Sequence, residues 1–459
     1  MISRLLCIPW THSRRQATRA IDDDRAHPDR NASRFPVEVC ENIIDMLYSF
    51  PIMDRVENAR TLHRCALVCR AWRVRSQRNL FYSVVLHNIE ALQKFSAVLD
   101  NGPHLCEYVH QLTLMGRTLH TTASPLSLLP IALHGKLPKL QEVTINRVRE
   151  DEDWYSSASE SESAKSLQYL PLHPRFALYF SAFTTVSGLY IFDLTFGHFN
   201  DFARMINSLP ALRRLVCNGV RCVTLGPLPF NMKPRADWIH APARPFAPNL
   251  RELSLLKVDI HCVQRLVSAC GPRLSNLVVG MPFFNDTEMV LLGYPTTEHS
   301  GGVDLSLCST LDRVDIFLEP ESVTDGQTLD QFKAMLNSWG SDVPLQNVHL
   351  RAYYEHKFAR QAFADLLGTA GRVLEALVIH SSAPPCADGE VGEQGGRWEI
   401  WIDLYDWEVW RDWWRTHVQK CFLTLGKSAE FRMNFNPPRY NWYKWQDSDA
   451  LPPIPTTTT

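Results

Sequence analysis

No apolar run of 18 residues occurs in this 459-residue sequence, so no membrane-spanning helix is expected. The opening Met1-Ile2-Ser3-Arg4-Leu5-Leu6-Cys7-Ile8-Pro9-Trp10 holds too short an apolar core for an export signal. Without export, the tripeptides Asn31-Ala32-Ser33 and Asn285-Asp286-Thr287 carry no meaning as glycosylation sites. These absences lead us to expect a cytoplasmic or nuclear protein. An excess of one charge is missing too. With 47 Lys and Arg against 49 Asp and Glu, the net charge of −2 gives no overall pull toward nucleic acid or an anionic membrane. The 12 cysteines are scattered from Cys7 to Cys421 without a Cys-x-x-Cys, and many, such as Cys217, Cys262 and Cys270, sit in apolar segments. That distribution suits buried, reduced thiols.

Catalytic motifs are absent as well. There is no Gly-x-Ser-x-Gly, His-Glu-x-x-His or Gly-x-Gly-x-x-Gly. Gly426-Lys427-Ser428 ends like a phosphate loop, but Cys421 stands where the earlier glycine belongs. His63, Cys65 and Cys69 lie close together without the second pair of ligands a zinc site needs, so they read as core positions. No catalytic, cofactor-binding or metal-binding residue is assigned, and no cofactor is expected. An enzyme whose groups converge from distant positions stays open as an alternative.

What the chain does have is a recurring apolar triplet. Val109-x-x-Leu112-x-Leu114 is followed by Leu140-x-x-Val143-x-Ile145, Val186-x-x-Leu189-x-Ile191 and Leu212-x-x-Leu215-x-Cys217. Further on come Leu250-x-x-Leu253-x-Leu255, Leu274-x-x-Leu277-x-Val279, Leu311-x-x-Val314-x-Ile316, Leu345-x-x-Val348-x-Leu350 and Leu374-x-x-Leu377-x-Ile379. The last two apolar positions of each triplet are one residue apart, so they share a face of a short strand. Amphipathic stretches at 199–209, 263–270, 329–339 and 358–367 lie between them. Such units bury their apolar faces only by stacking on their neighbours. The pattern resembles a degenerate leucine-rich repeat. A non-repetitive α/β domain is the alternative.

The segment 34–86 differs in character. Pro36 suits the start of a helix, and Val39, Ile43, Ile44 and Leu47 form an apolar stripe at helical spacing. Residues 49–60, with Pro51, are expected as a loop, followed by a second helical stretch from Leu62 through Leu67, Val68, Ala71 and Trp72. Arg60, Arg64, Arg70, Arg73, Arg75 and Arg78 are interspersed with these residues, with no acidic residue among them. Leu80, Phe81 and Tyr82 form a third apolar group.

Phe35-Pro36-Val37-Glu38 and the intact Val68-Cys69-Arg70-Ala71-Trp72 make this segment similar to an F-box, whose pattern begins Leu-Pro-x-Glu and continues with Val-Cys-x-x-Trp. The likeness covers about a tenth of the chain. It implies docking onto a Skp-family adaptor in a cullin-RING ubiquitin ligase through Phe35, Pro36, Val39, Ile43, Ile44, Leu47, Leu67, Val68, Trp72, Leu80 and Phe81. The partners then expected are that adaptor, a cullin and a protein substrate, with no nucleic acid and no membrane. A repeat scaffold without a ligase partner is the rival.

The expected fold class is α/β, an N-terminal helical F-box module at 34–86 followed by an irregular leucine-rich-repeat-like strand–helix solenoid over 100–435. Residues 1–33 and 436–459 are expected as loose tails. The acidic, Ser-rich segment 150–163 is expected as a loop open to phosphorylation. Trp398-x-Ile400-x-Ile402-x-Leu404 alternates like a strand, and Trp407, Trp410, Trp413, Trp414, Val418 and Phe422 follow at near-helical spacing. The region 397–435 is therefore expected to cap the solenoid. Substrate contacts are expected at outward positions between the paired apolar residues of each strand, foremost Tyr190, Asp315 and His349.

Overall fold

The computed structural model of the chain describes residues 36–49, 55–117, 125–148, 172, 175–225, 246–281, 303–318, 326–338, 347–352, 364–365, 367–368, 371–372, 398–404, 411–421 and 429–434. The tails, the acidic segment 150–163 and the triplet at 374–379 lie outside them. The chain separates into two compact units, 1–194 with 201–212, and 195–200 with 213–459.

Three helices open the first unit: α1 (Val37–Ser49), α2 (Arg55–Val68) and α3 (Arg70–Tyr82). Pro36 stands directly before α1, and its carbonyl accepts from the N–H groups of Val39 and Cys40 at 3.1 and 3.3 Å. Its missing N–H therefore costs nothing. The loop expected through Arg60 is shorter, because α2 already starts at Arg55. No Gly or Pro follows Pro51 there, and Arg55, Glu57 and Ala59 are good helix formers. The single helix expected from Leu62 through Trp72 is broken at Cys69, whose backbone is extended (φ −156°, ψ 172°). Val68 thus ends α2, and Trp72 lies in the first turn of α3.

Leu80, Phe81 and Tyr82 close α3 and run straight into β1 (Ser83–Leu86), a strand too short to signal itself by alternation. Next is α4 (Ile89–Asn101), capped by Asn88, whose Oδ1 accepts from the Ala91 N–H at 2.8 Å. It buries Ala91, Leu92, Phe95 and Leu99, the spacing of one helical face. The unit continues with β2 (Gln111–Arg117), α5 (Pro125–Ala132), β3 (Glu142–Val148), α6 (Phe176–Phe180), β4 (Gly188–Phe192) and, from Asp201 on, α7 (Phe199–Asn207). Strands β1 to β4 pair in sequence order, all parallel. Parallel pairing requires the crossovers that these helices supply. The triplets are in register: Leu112 opposes Val143 and Val143 opposes Leu189, while Leu114 opposes Ile145 and Ile145 opposes Ile191. All six of these side chains are buried.

In the second unit, β5 (Thr195–His198) pairs with β7 (Arg221–Thr224) as a small parallel ladder. The main sheet is parallel in the order β6 (Arg214–Asn218), β8 (Glu252–Leu256), β9 (Asn276–Met281), β10 (Arg313–Leu318), β11 (Asn347–Ala352), β12 (Trp398–Leu404) and β13 (Ala429–Asn434). Helices α8 (Ile260–Cys270), α9 (Gly326–Asn337) and α10 (Arg411–Cys421) lie between them in sequence. Asp259 caps α8 by accepting from the N–H groups of His261 and Cys262 at 2.9 and 3.1 Å, an arrangement worth about 1 kcal/mol.

Each repeat is tied to its predecessor just before the strand. Arg251 donates its N–H to the Arg213 carbonyl, Ser275 to Arg251, Asp312 to Ser275 and Asn347 to Asp312, at 2.9 to 3.1 Å. Thr310 Oγ1 adds a bond to the Leu274 carbonyl at 2.9 Å. The first apolar residues Leu250, Leu274 and Leu311 of the triplets are buried.

Strand β11 has β10 on one side and β12 on the other. The strand following β11 in the sheet is thus Trp398–Leu404. The Trp-rich region continues the parallel ladder through β13. Trp414 on α10 is fully buried, and Trp413 meets it edge-on at 4.8 Å while stacking on His417 at 5.0 Å. Trp407, Trp410 and Phe422 lie outside the described residues, as does the side chain of Val418.

Candidate protein-docking surface

Helices α1, α2 and α3 pack on one another through a small interior of Cys40, Ile44, Leu62 and Ala66. Asp45 locks α1 to α3. Its carboxylate accepts from Arg75 Nε at 2.8 Å, from Arg75 Nη2, and from Asn79 Nδ2 at 3.1 Å. Burial alone would raise the Asp45 carboxyl, but the bonds from Arg75 and Asn79 and the charges of Arg75 and Arg78 hold it below its ordinary value.

The outward faces carry exposed apolar side chains among polar ones. Val39, Ile43 and Met46 of α1 are 40, 52 and 58% exposed; Leu67 and Val68 of α2 are 68 and 62% exposed; Val74 of α3 is 58% exposed. On α2 the exposed Arg60, Arg64, Leu67 and Val68 follow i, i+4, i+7, i+8 and so share one face. Arg70 and Arg73 of α3 are also exposed. Single exposed apolar side chains need no account, whereas six on three consecutive helices make this surface the candidate for docking.

The residues expected to dock divide accordingly. Pro36, Val39, Ile43, Leu67 and Val68 are exposed, and Leu47 and Trp72 are half-buried. Ile44 is fully buried and belongs to the interior, because the 3.6-residue period turns it away from its neighbour Ile43. Leu80 and Phe81 are half-buried, and Phe81 stacks on Phe95 of α4 with ring centroids 6.4 Å apart. Tyr82 likewise stacks on His110 at 4.8 Å and meets Tyr48 edge-on at 5.2 Å. The end of α3 thus anchors the helices to the strands rather than facing outward. Phe35 lies outside the described residues. Met46 and Val74 join the surface unexpectedly; Met46, three residues after Ile43 and seven after Val39, was legible from spacing.

The expected substrate-contact positions alternate with the buried triplet residues, yet they are little exposed. Tyr190, Asp315 and His349 are buried, at 8, 0 and 9% exposure. Gly188, two residues before Tyr190 on the same face, has no Cβ to fill the space beside the Tyr190 ring. The ring therefore lies close to β3, with Tyr190 Oη donating to Glu142 Oε1 at 3.3 Å. Asp315 sits between two guanidinium groups: Arg313 Nε and Nη2 donate to it at 2.8 and 3.1 Å, and Arg351 Nη2 lies 2.9 Å away. His349, opposite Asp315 in register, accepts at Nδ1 from Arg313 Nη2 and Arg351 Nη2 at 3.2 and 3.4 Å. Burial, with Arg313 and Arg351 beside it and against the opposing charge of Asp315, lowers the imidazole to about 4. His349 is thus neutral at physiological pH. On the same sheet face, Leu256, Val278 and Phe317 cluster, and the Arg351 guanidinium lies over the Phe317 ring at 5.2 Å.

Among the described residues, no three or more His, Cys, Asp or Glu side chains converge as a metal-ligand set, and no helix is long and apolar enough to cross a membrane. No protein-family model matches the chain, and no curated protein matches it. Among solved structures it is similar to a leucine-rich-repeat protein of Leptospira interrogans, at 11% identity and a TM-score of 0.25, over 76% of this chain and 100% of that one.

Proposed function

We propose that the chain is a substrate-recognition subunit of a cullin-RING ubiquitin ligase, docking a Skp-family adaptor through α1, α2 and α3. The observation that supports this most is the outward set Val39, Ile43, Leu67 and Val68, on the same helices that carry Pro36-Val37-Glu38 and Val68-Cys69-Arg70-Ala71-Trp72. In water those side chains cost free energy, and a partner covering them recovers about 0.8 kcal/mol for each buried methylene. The strand–helix body, read as leucine-rich-repeat-like, holds a protein substrate, and other subunits carry out ubiquitin transfer. Asp315 and His349 act in that body as internal architecture.

The test is binding of purified Skp-family adaptor to the full chain and to the L67A/V68A variant. The wild-type chain should form a stable complex. The variant should keep its melting temperature and bind roughly 30-fold or more weakly, a loss of about 2–4 kcal/mol. A folded wild-type chain that binds no adaptor would leave the repeat-scaffold reading in its place.

A further inference from the structure

The apolar docking face is accompanied by charge of one sign. Arg64 on α2 and Arg70 and Arg73 on α3 are exposed, on the same helices as Leu67, Val68 and Val74. Arg60 lies one turn before Arg64 on the exposed side of α2. Among the side chains described on these helices, the carboxylates are fewer than the arginines. Asp45 is taken by Arg75, which also feels the charge of Glu41. Glu38 is the exposed carboxylate among the described residues of α1, and α3 has no acidic residue.

We propose that this face is matched to an acidic protein surface: the adaptor meets it with an apolar recess for Leu67, Val68 and Ile43, bordered by carboxylates that oppose Arg64, Arg70 and Arg73. This rests on the adaptor-docking reading above and adds the chemistry of the partner. A duplex phosphate backbone would satisfy the arginines but leave the exposed Leu, Ile, Val and Met side chains in water, so a protein fits better. Charges around an apolar centre act mainly on the rate of encounter, and the apolar centre acts on the lifetime of the complex.

The experiment measures association and dissociation rates of purified adaptor with the full chain across a salt series. The variants are R64E/R73E, the neutral R64Q/R73Q, and L67A/V68A, each checked for an unchanged melting temperature. At low ionic strength R64E/R73E should associate about tenfold or more slowly than wild type, with R64Q/R73Q between them. The gap should close as the screening length falls from about 30 Å at 0.01 M salt to about 3 Å at 1 M. L67A/V68A should instead dissociate faster at every salt concentration. If wild type binds and R64E/R73E associates equally fast at low salt, the arginines are only a solvated face and the proposal fails while the docking reading survives. Arginine-dependent binding of a DNA duplex that displaces the adaptor would also overturn it. No adaptor binding by wild type at any salt concentration would remove the docking reading and this inference together.

Discussion

Among the N-terminal helices, Leu67 leaves 68% of its surface open and Ile43 52%, whereas in the sheet of the second unit the Asp315 carboxylate leaves none. Hydrophobic side chains are outside in one region and charges are inside in the other. The two inversions teach different things. An exposed apolar side chain has no internal compensation and stays in water unless another surface covers it. A buried carboxylate survives only if it is compensated within the molecule, and Asp315 is, by Arg313 and Arg351. The first inversion is what the docking proposal rests on, and the second accounts for itself.

The largest expected effect breaks the second inversion. Asp315→Ala leaves Arg313 and Arg351 without their shared anion and should destabilise the second unit by roughly 3–5 kcal/mol. Urea unfolding followed by tryptophan fluorescence measures it. Unchanged stability would mean that the ion cluster is dispensable and that Asp315 is free to serve another purpose.

Next comes a comparison of adjacent, chemically identical residues. Ile44→Ala removes an interior side chain and should cost about 2–5 kcal/mol of stability, whereas Ile43→Ala should change stability by less than about 0.5 kcal/mol and weaken adaptor binding. Thermal melts of both variants, set beside adaptor affinity, decide it. Equal destabilisation by the two would place Ile43 inside and weaken the docking surface.

The smallest effect is a pH dependence. His349 is held at about 4 when folded, below its ordinary value of 6.5. Its neutral form is therefore favoured by folding. The associated stability is fully present above about 6.5 and is lost as pH falls from there through about 4, by at most about 3 kcal/mol. Stability of the full chain measured across that window should fall more steeply for wild type than for His349→Gln. Matching slopes would show that the imidazole titrates normally and that the cluster is more open than its burial suggests.

Legibility in the sequence followed the range of the interactions. Strands β2, β3, β4, β6, β8, β9, β10 and β11 of the main sheet were announced by triplets because period-two apolar pairing is a local signal, whereas the short ladder strands β5 and β7 carried no triplet. Strand β1 was not, since Ser83–Leu86 is short and follows a helix without a break. The start of α2 was placed too late because Pro51 and the charges around it look like a loop, while helix formation at Arg55 is favoured by packing against α1 and α3. The docking stripe on α1 was legible as a stripe, but its division between interior and exterior was not.

By itself the sequence determined where the apolar periodicities lie and that the 12 cysteines form no Cys-x-x-Cys pair, because these depend on neighbours a few residues apart. Only the tertiary structure decided that Ile43 faces out while Ile44 faces in, since that depends on where α2 and α3 pack. Only the tertiary structure decided, too, that Asp315 and His349 are internal. Arg313 and Arg351 each neighbour one of them on its own strand, but the contacts of Arg313 with His349 and of Arg351 with Asp315 join positions 36 residues apart, and the register of β10 on β11 brings those together.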